Sequence, residues 1–172
     1  MVAFLRALRL LSLVAWMGGI VFFGAIAAPA IFSPQVLEMT QGNTRIPGII
    51  VGICLTRLHW VGLGCGIALL LTTVLLYQRS HRNRVQMLAI VSLAGLMLCL
   101  TMYIGFHVMP LMEHDRQLVG GDFTNLPLAN PERADFDRLH QVSTRLEQIV
   151  LLCALGVTLA MASEDLPQDR SV

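Results

Sequence analysis

The stretch "LLSLVAWMGGIVFFGAIAAPAIF", residues 10–32, contains no charged side chain and consists mostly of apolar residues. A helix that crosses about 30 Å of hydrocarbon at about 1.5 Å per residue needs roughly 20 such residues. The charge-free interval around this stretch extends from Arg9 to Glu38. It predicts a first membrane-spanning helix over residues 8–31.

Three further apolar stretches follow along the chain. Residues 58–78 and 85–112 contain no acidic residue, lysine or arginine, and each is long enough to span a bilayer. Residues 148–163 are also free of charge but too short, so the fourth helix must begin near Leu139 and include Arg145 and Glu147. The four predicted spans cover residues 8–31, 58–77, 85–108 and 139–161.

The composition agrees with a membrane protein, since 55% of the residues are apolar and only 13% are charged. We therefore predict an all-α, polytopic membrane protein: an antiparallel bundle of four transmembrane helices in a single domain, residues 1–172. Its surroundings are the lipid bilayer. The net charge of +1 gives no sign of a nucleic-acid surface. The four cysteines show no CxxC spacing and are expected to be small packing residues.

The connector "RSHRNR", residues 79–84, is the densest basic cluster of the chain. The positive-inside rule puts it in the cytoplasm. With four spans, both termini are then cytoplasmic. We expect the protein to lie in the cell membrane, here the bacterial inner membrane. The segment "AIAAPA", residues 25–30, offers small residues of the kind a signal peptidase accepts, but the apolar stretch before it is long for a signal peptide. We expect no cleavage there.

Helix-start signals precede spans 2 and 4 on the opposite, outer side. Thr44 can cap a helix that has Pro47 in its first turn, and Asn130 can cap a helix that begins with the proline after it. Both spans are therefore expected to carry helical extensions above the membrane. Pro110 is expected to mark the point where span 3 leaves the membrane, and residues 113–127, with a Gly-Gly pair, to form a loop over the outer mouth.

This topology brings three histidines to the outer side. Span 2 begins there, span 3 ends there and span 4 begins there again, so His59, His107 and His140 lie near one membrane surface. On span 4, aromatic and polar residues recur at spacings of four, three and four and share one helix face. These residues are Phe136, His140, Ser143 and Glu147.

A carboxylate inside a membrane is costly, so Glu147 should face the bundle interior, take a partner, or stay protonated. The candidate partners are His59, Arg57, Arg145 and Tyr103, which lies one turn deeper than His107 on span 3. Two interpretations stay open. Glu147 belongs to a functional site, or it forms a buried ion pair that ties span 4 to span 2.

Span 2 contains "GLGCG", residues 62–66, in which Gly62 and Gly66 form a GxxxG pair on one helix face. Small residues at this spacing allow two helices to pack closely. The partner helix belongs to the same chain or to a second copy, so a homo-oligomer is possible.

Three segments, "AWMGGIVFFGAIAAPAIF" (15–32), "RLHWVGLGCG" (57–66) and "FDRLHQVSTRLEQIVLL" (136–152), together resemble the transmembrane protein 205-like family, also catalogued as domain of unknown function 4149. The matching features are Trp16 and Gly18 in the first helix, His59 at the start of the second, and His140 and Ser143 in the fourth. The resemblance implies a four-helix integral membrane protein with no established reaction. The animal member is associated with resistance to platinum drugs, which suggests the handling of soft metals or their complexes.

Our leading hypothesis is a protein, not expected to be an enzyme, that binds or moves a soft transition metal or a metal complex at an outer-facing site. His59, His140 and Glu147 are the central candidate ligands, and His107 is a further one. Imidazole and carboxylate suit copper, zinc or iron, and sulfur from Met109 and Met112 would favour Cu(I). The supporting residues are expected to be Ser143, Tyr103, Arg57 and Trp16.

Two other functions fit the same residues. Two of the histidines could be axial ligands of a haem in a membrane electron-transfer protein. The polar residues could instead only hold the helices together in a structural or assembly factor. Hydrolysis is not expected, because no nucleophile elbow or oxyanion arrangement accompanies Ser143 and His140.

Overall fold

The computed structural model describes residues 1–80, 84–124, 126–127 and 129–163, and these residues form helices and turns without any strand. The α-helices are α1 Val2–Phe22, α2 Ala28–Ile31, α3 Pro34–Met39, α4 Arg45–Ser80, α5 Arg84–Tyr103, α6 Met109–Leu118 and α7 Pro131–Ala162. Two π-helical segments, Phe23–Ala27 and Ile104–Val108, join α1 to α2 and α5 to α6. The all-α prediction is confirmed. The connector at residues 79–84 lies largely outside the described residues.

Within the described residues, four helical runs are long and apolar enough to cross a membrane, as predicted. They are Val2–Ile31, Arg45–Arg79, Arg84–Leu118 and Pro131–Ala162, here called spans 1 to 4. Consecutive spans pack side by side, and span 4 packs mainly against span 3 and only weakly against span 1. We call the end of the bundle that carries Thr44 and Asn130 the outer end. The arrangement leaves one loose seam, between spans 1 and 4.

The core is centred on Trp16, whose side chain is 1% exposed. Its indole lies against Gly62 and Gly66 of α4, where an added Cβ would come within 2.7 Å and 2.8 Å of ring atoms. The GxxxG pair of span 2 is thus used inside the chain, because only glycine lets the indole approach the helix this closely. Around Trp16 the four spans contribute buried apolar side chains: Leu13, Ile20, Leu69, Ile90, Ala94, Met97, Val150, Cys153, Ala154 and Val157.

The outer extensions of spans 2 and 4 are present, as predicted. Asn130 precedes α7 and its side-chain oxygen accepts a hydrogen bond from the Arg133 N–H at 2.9 Å, which confirms it as the cap. At the start of α4, the prediction of Thr44 as the side-chain cap was wrong. The Asn43 carboxamide oxygen accepts from the Arg45 N–H at 2.7 Å instead, because the Thr44 hydroxyl donates to the distant Asp122 at 3.1 Å.

The loop predicted for residues 113–127 begins later than expected. The chain stays helical through Pro110 to Leu118, so the first part of the predicted loop is α6. Proline lacks the N–H of a regular helix, and its ring collides with the carbonyl four residues earlier. The π-helical segment Ile104–Val108 ends two residues before Pro110, and its wider turn relieves that collision. Pro29 follows the other π-helical segment, Phe23–Ala27, at the same distance.

A turn at Gly120 and Gly121 ends this extension, and both residues have positive φ angles of 70° and 89°, which glycine adopts without steric cost. The chain then returns over the outer end of α4. There the Asp122 carboxylate accepts hydrogen bonds from the Thr124 N–H at 3.0 Å and the Thr44 hydroxyl at 3.1 Å. The remaining part of the predicted loop therefore covers the outer end of the bundle.

Candidate binding site at the outer end of the bundle

A cavity of about 1030 Å³ lies between the outer parts of the four spans. Its walls are mostly apolar, and every span contributes to them. The innermost lining residue on each span, in chain order, is Phe23, Arg57, Gly105 and Glu147. The outermost are Phe32, Gly48, Arg116 and Phe136. Since 11 helical residues separate Phe136 from Glu147, the cavity is roughly 16 Å deep at about 1.5 Å per residue.

The inner end of the cavity carries the contact between spans 2 and 4. The Nε2 atom of His59 lies 3.7 Å from Oε1 of Glu147, and the two side chains are 9% and 21% exposed. The Nδ1 atom of His59 lies 2.7 Å from the Leu55 carbonyl oxygen. Because a carbonyl can only accept, Nδ1 carries a hydrogen and Nε2 is left facing the carboxyl group. The Glu147 side chain therefore lies against the imidazole at the inner end of the cavity, at a distance longer than a hydrogen bond.

Span 4 lines the rest of one wall. Ser143 is buried, and His140 and Thr144 also face the cavity although both are largely exposed. The predicted polar face of span 4 is therefore present, with Glu147 at its inner end. His140 and His59 contribute to different parts of the site. His140 lines the cavity, whereas His59 does not line it and contacts the Glu147 carboxyl group instead.

The outer mouth of the cavity is covered by aromatic side chains. The ring of Phe136 lies between Phe123 of the covering loop, at 4.5 Å between centroids, and the Arg116 guanidinium, 5.5 Å from the ring centre. The Arg116 NH1 atom also donates to Glu113 at 3.0 Å. His140 stacks parallel to Phe136 at 6.4 Å. These contacts join the covering loop, span 3 and span 4 at the mouth of the cavity.

Met109 and Met112 also line the cavity, so both thioethers lie in the same site as Glu147 and His140. His107 does not. It is exposed on the outside of span 3 beside the half-exposed Tyr103, with 5.1 Å between ring centroids. Its neighbours Ile104 and Val108 are each 1% exposed. Because these two residues take the inward positions of the π-helical segment, His107 is turned outward.

The remaining predicted residues are distributed around the cavity. Arg57 lines it at the inner end and is exposed. Arg145 is exposed on span 4 and does not line it. Within the described residues neither arginine makes an ion pair with Glu147. Trp16 lies in the core against Gly62, so it supports span 2 rather than a ligand.

In the part of the chain that the structure describes, no three side chains of His, Cys, Asp or Glu come close enough together to hold a metal ion. His59 and Glu147 are adjacent, but His107 faces away from them and His140 lies about two turns further out than Glu147. The described His, Cys, Asp and Glu side chains therefore do not form a three-ligand site by themselves.

Two features of the site were not predicted from the sequence. One is the pair of π-helical segments, which contribute Phe23, Gly24 and Gly105 to the walls. The signal was a proline inside each apolar stretch. The other is Arg116, whose guanidinium lies 3.3 to 3.6 Å from where Cβ atoms on Gly48 and Gly52 would be. A second GxxxG pair in α4 makes room for it.

These features define a class: a multi-pass helical membrane protein with four spans and a mostly apolar cavity at one end. The chain belongs to the family described as Domain of unknown function (DUF4149), whose family model matches residues 11–117. The match includes spans 1 to 3 with Trp16 and His59, and it ends before α7, which supplies His140 and Glu147. No curated protein and no solved structure gave a match.

Proposed function

We propose that the protein binds a soft transition metal as a bulky complex that keeps its own ligands, and holds or moves it at the outer side of the membrane. One observation carries the proposal: two thioethers, an imidazole and a carboxylate line a single cavity. These groups belong to Met109, Met112, His140 and Glu147. Thioether and imidazole groups are ligands for soft and borderline metals such as copper.

The size of the cavity favours a complex over a bare ion. A transition-metal ion needs several protein ligands within about 2.0 to 2.3 Å, and the described His, Cys, Asp and Glu side chains provide no group of three. A volume of about 1030 Å³ corresponds to the upper end of pockets for drug-sized ligands. A complex brings most of its own ligands and needs only shape, apolar contact and one or two polar anchors.

The charge at the inner end favours a cationic complex. Among the described lining residues, Glu147 is the only acidic one in the inner half of the cavity. The other acidic lining residue, Glu113, lies at the mouth and is paired with Arg116. In a site with little water, a carboxylate attracts a cation more strongly than it does in solution. The contact with His59 fixes where this carboxylate points.

Bis(neocuproine)copper(I) is a suitable probe because it is a coloured, bulky, apolar monocation. We expect saturable binding to the detergent-purified protein, followed by the visible absorbance of protein-bound complex. Met109→Leu combined with Met112→Leu should weaken binding about threefold to tenfold, since sulfur contacts are lost while volume is kept. Met102→Leu is the matched control, because Met102 is exposed on span 3 and does not line the cavity.

Tetraphenylphosphonium provides the second arm of this experiment, because it is a bulky monocation without a metal. The proposal expects it to bind more weakly than the copper complex and to respond to Glu147→Gln but not to the methionine substitutions. Equal affinity for both cations, with no effect of the methionine substitutions, would contradict a role in metal handling.

A structural or assembly role is the second candidate, and the 3.7 Å contact between His59 and Glu147 favours it, because this contact joins spans 2 and 4. A haem has less support, since His59 already faces the Leu55 carbonyl and Glu147, and His107 faces outward. The absorption spectrum of protein expressed with added haem tests it: a stoichiometric Soret band would favour haem over the copper complex.

We further propose the bacterial inner membrane as the location, with both termini in the cytoplasm.

A further inference from the structure

The cavity is packed differently at its mouth and at its side. At its mouth, Phe136 is stacked between Phe123 and Arg116 under the covering loop. On its side, the outer part of span 1 does not seal against span 4: no residue from 21 to 31 is buried. On span 4, Ser143 is the only buried residue between 131 and 149.

The same two spans do meet further inward. Leu13, Trp16 and Ile20 of α1 share the buried core with Val150 and Cys153 of α7. The seam between spans 1 and 4 is thus closed in the inner half of the bundle and open in the outer half. Below the opening, the surface of both spans is apolar and exposed, with Val21, Phe22, Ile149 and Leu152 each 42% to 68% exposed. The lipid-facing surface therefore continues into the opening.

Arg57 lies at the inner end of this cavity, directly before the predicted hydrocarbon span 58–77. Its side chain is exposed, and it forms no hydrogen bond or ion pair with any residue that the structure describes. A guanidinium presents a planar set of donors that matches a phosphate group. At this level of a membrane, the phosphate groups of lipids are the most abundant anions.

We propose that the cavity binds one phospholipid from the adjacent leaflet, with its phosphate held by Arg57. The headgroup enters through the opening between spans 1 and 4, and the acyl chains descend along the exposed apolar surface of Phe22 and Leu152. Of the two arginines that line the cavity within the described residues, Arg116 is paired with Glu113 at the mouth, so Arg57 is the one available to a phosphate. The proposal does not depend on the binding of a metal complex.

The test is native mass spectrometry of the full chain in detergent, with three probes added separately. Phosphatidylglycerol should be retained as one molecule per protein. Diacylglycerol, which has the same chains without phosphate, should be retained at least tenfold less, since one charge-assisted contact corresponds to about a factor of ten. Glycerol phosphate, which has no chains, should also be retained at least about tenfold less, because the apolar contacts of the chains are lost. Retention of diacylglycerol or glycerol phosphate equal to that of phosphatidylglycerol would overturn the proposal.

Two substitutions with matched controls locate the bound lipid. Arg57→Gln should lower the retention of phosphatidylglycerol about tenfold, whereas Arg145→Gln, which removes the same charge outside the cavity, should not. Gly24→Leu should also lower retention, because a side chain at Gly24 projects into open space within the cavity wall. Gly18→Leu adds the same side chain at a position with equal space outside the cavity. Equal behaviour of each variant and its control would refute the site.

The lipid site and the metal-complex site respond to opposite substitutions. Arg57→Gln should weaken phosphatidylglycerol and leave bis(neocuproine)copper(I) bound. Glu147→Gln should weaken the copper complex and leave the phospholipid bound or strengthen it, because a nearby negative charge is removed. Measuring both probes on both variants therefore shows which of the two proposals has failed.

Discussion

The Nε2 atom of His59 and the Oε1 atom of Glu147 lie 3.7 Å apart at the floor of the outer cavity, and they join span 2 to span 4. Both side chains are mostly withdrawn from the surface, so the contact is screened less than an ion pair in water. Glu147 also lines the cavity, so one residue both contacts span 2 and presents a carboxyl group to the site.

The contact can be measured with a double-mutant cycle of His59→Gln and Glu147→Gln. We expect a coupling free energy of about 1 kcal/mol, because interacting buried groups are not additive. The measurement is denaturant unfolding of each variant in detergent micelles. The exposed pair Asp135 and Arg138, with 3.2 Å between charged atoms, is the control and should couple by less than about 0.5 kcal/mol. Additivity of the His59 and Glu147 substitutions would show that the contact contributes nothing.

Gly62→Ala should destabilise the protein by about 1 to 3 kcal/mol, because the new Cβ would lie 2.7 Å from the Trp16 indole nitrogen. Thermal unfolding in detergent checks this. Gly64→Ala, two residues further along the same helix, has nothing within 4 Å of its Cβ and should be neutral or stabilising by up to about 1 kcal/mol. If both variants melt at the wild-type temperature, Trp16 does not require the glycine.

The covering loop should loosen in acid. Hydrogen bonds from Thr124 and then from Thr44 hold the pKa of the Asp122 carboxyl below its ordinary value. A carboxyl group with a depressed pKa stabilises the folded state above the pKa of the unfolded chain, about 4 for aspartate, and this stabilisation is lost as the pH falls further. Hydrogen exchange at the amide of Thr124 should therefore show loss of protection below about pH 4.

Asp122→Asn serves as the control for this pH dependence. The carboxamide cannot ionise, so protection at Thr124 should be lower than in the wild type at neutral pH and should not change between pH 6 and pH 3. An acid-induced opening that persists in this variant would have to come from a different carboxyl group.

Phe136→Ala should open the outer mouth to water, since it removes the ring that lies between Phe123 and Arg116. A cysteine in place of Thr144, inside the cavity, can report this in a variant that lacks the four native cysteines. We expect its reaction with a membrane-impermeant thiol reagent to become roughly tenfold faster in Phe136→Ala. A factor of ten corresponds to a loss of about 1.4 kcal/mol in the free energy that favours the closed mouth over the open one. Phe106→Ala, at an exposed ring outside the cavity, should leave the rate unchanged.

Sequence reasoning succeeded where local chemistry decides the structure. The spans follow from charge-free length, and the Asn130 cap follows from a side chain that can reach the next helical turn. Topology also brought His59 and Glu147 to the same side of the membrane as candidate partners, which agrees with their contact. It could not show which way His107 faces, because that depends on one extra residue in a π-helical turn.

The prediction that residues 113–118 belong to a loop was wrong for the same reason. A proline in an apolar stretch either ends a helix or is accommodated by a wider turn, and only the packing of Ile104 and Val108 decides between them. Likewise Arg116 lies far along the chain from Gly48 and Gly52. Only the folded chain shows that these glycines leave space for its guanidinium.

The two π-helical segments also change how each span can be read as a helical wheel. One extra residue in a turn rotates everything that follows it by about 100° relative to a regular helix. The wheel that places Met97 and Thr101 towards the core is therefore out of phase with the one that places Met109, Met112 and Arg116 in the cavity wall. Spans 1 and 3 each need two helical wheels, one for the packed inner half and one, rotated relative to it, for the part that lines the outer site. A single-residue deletion between Ile104 and Val108 would restore a regular α-helix. It would thereby turn the cavity-lining residues of span 3 away from the site.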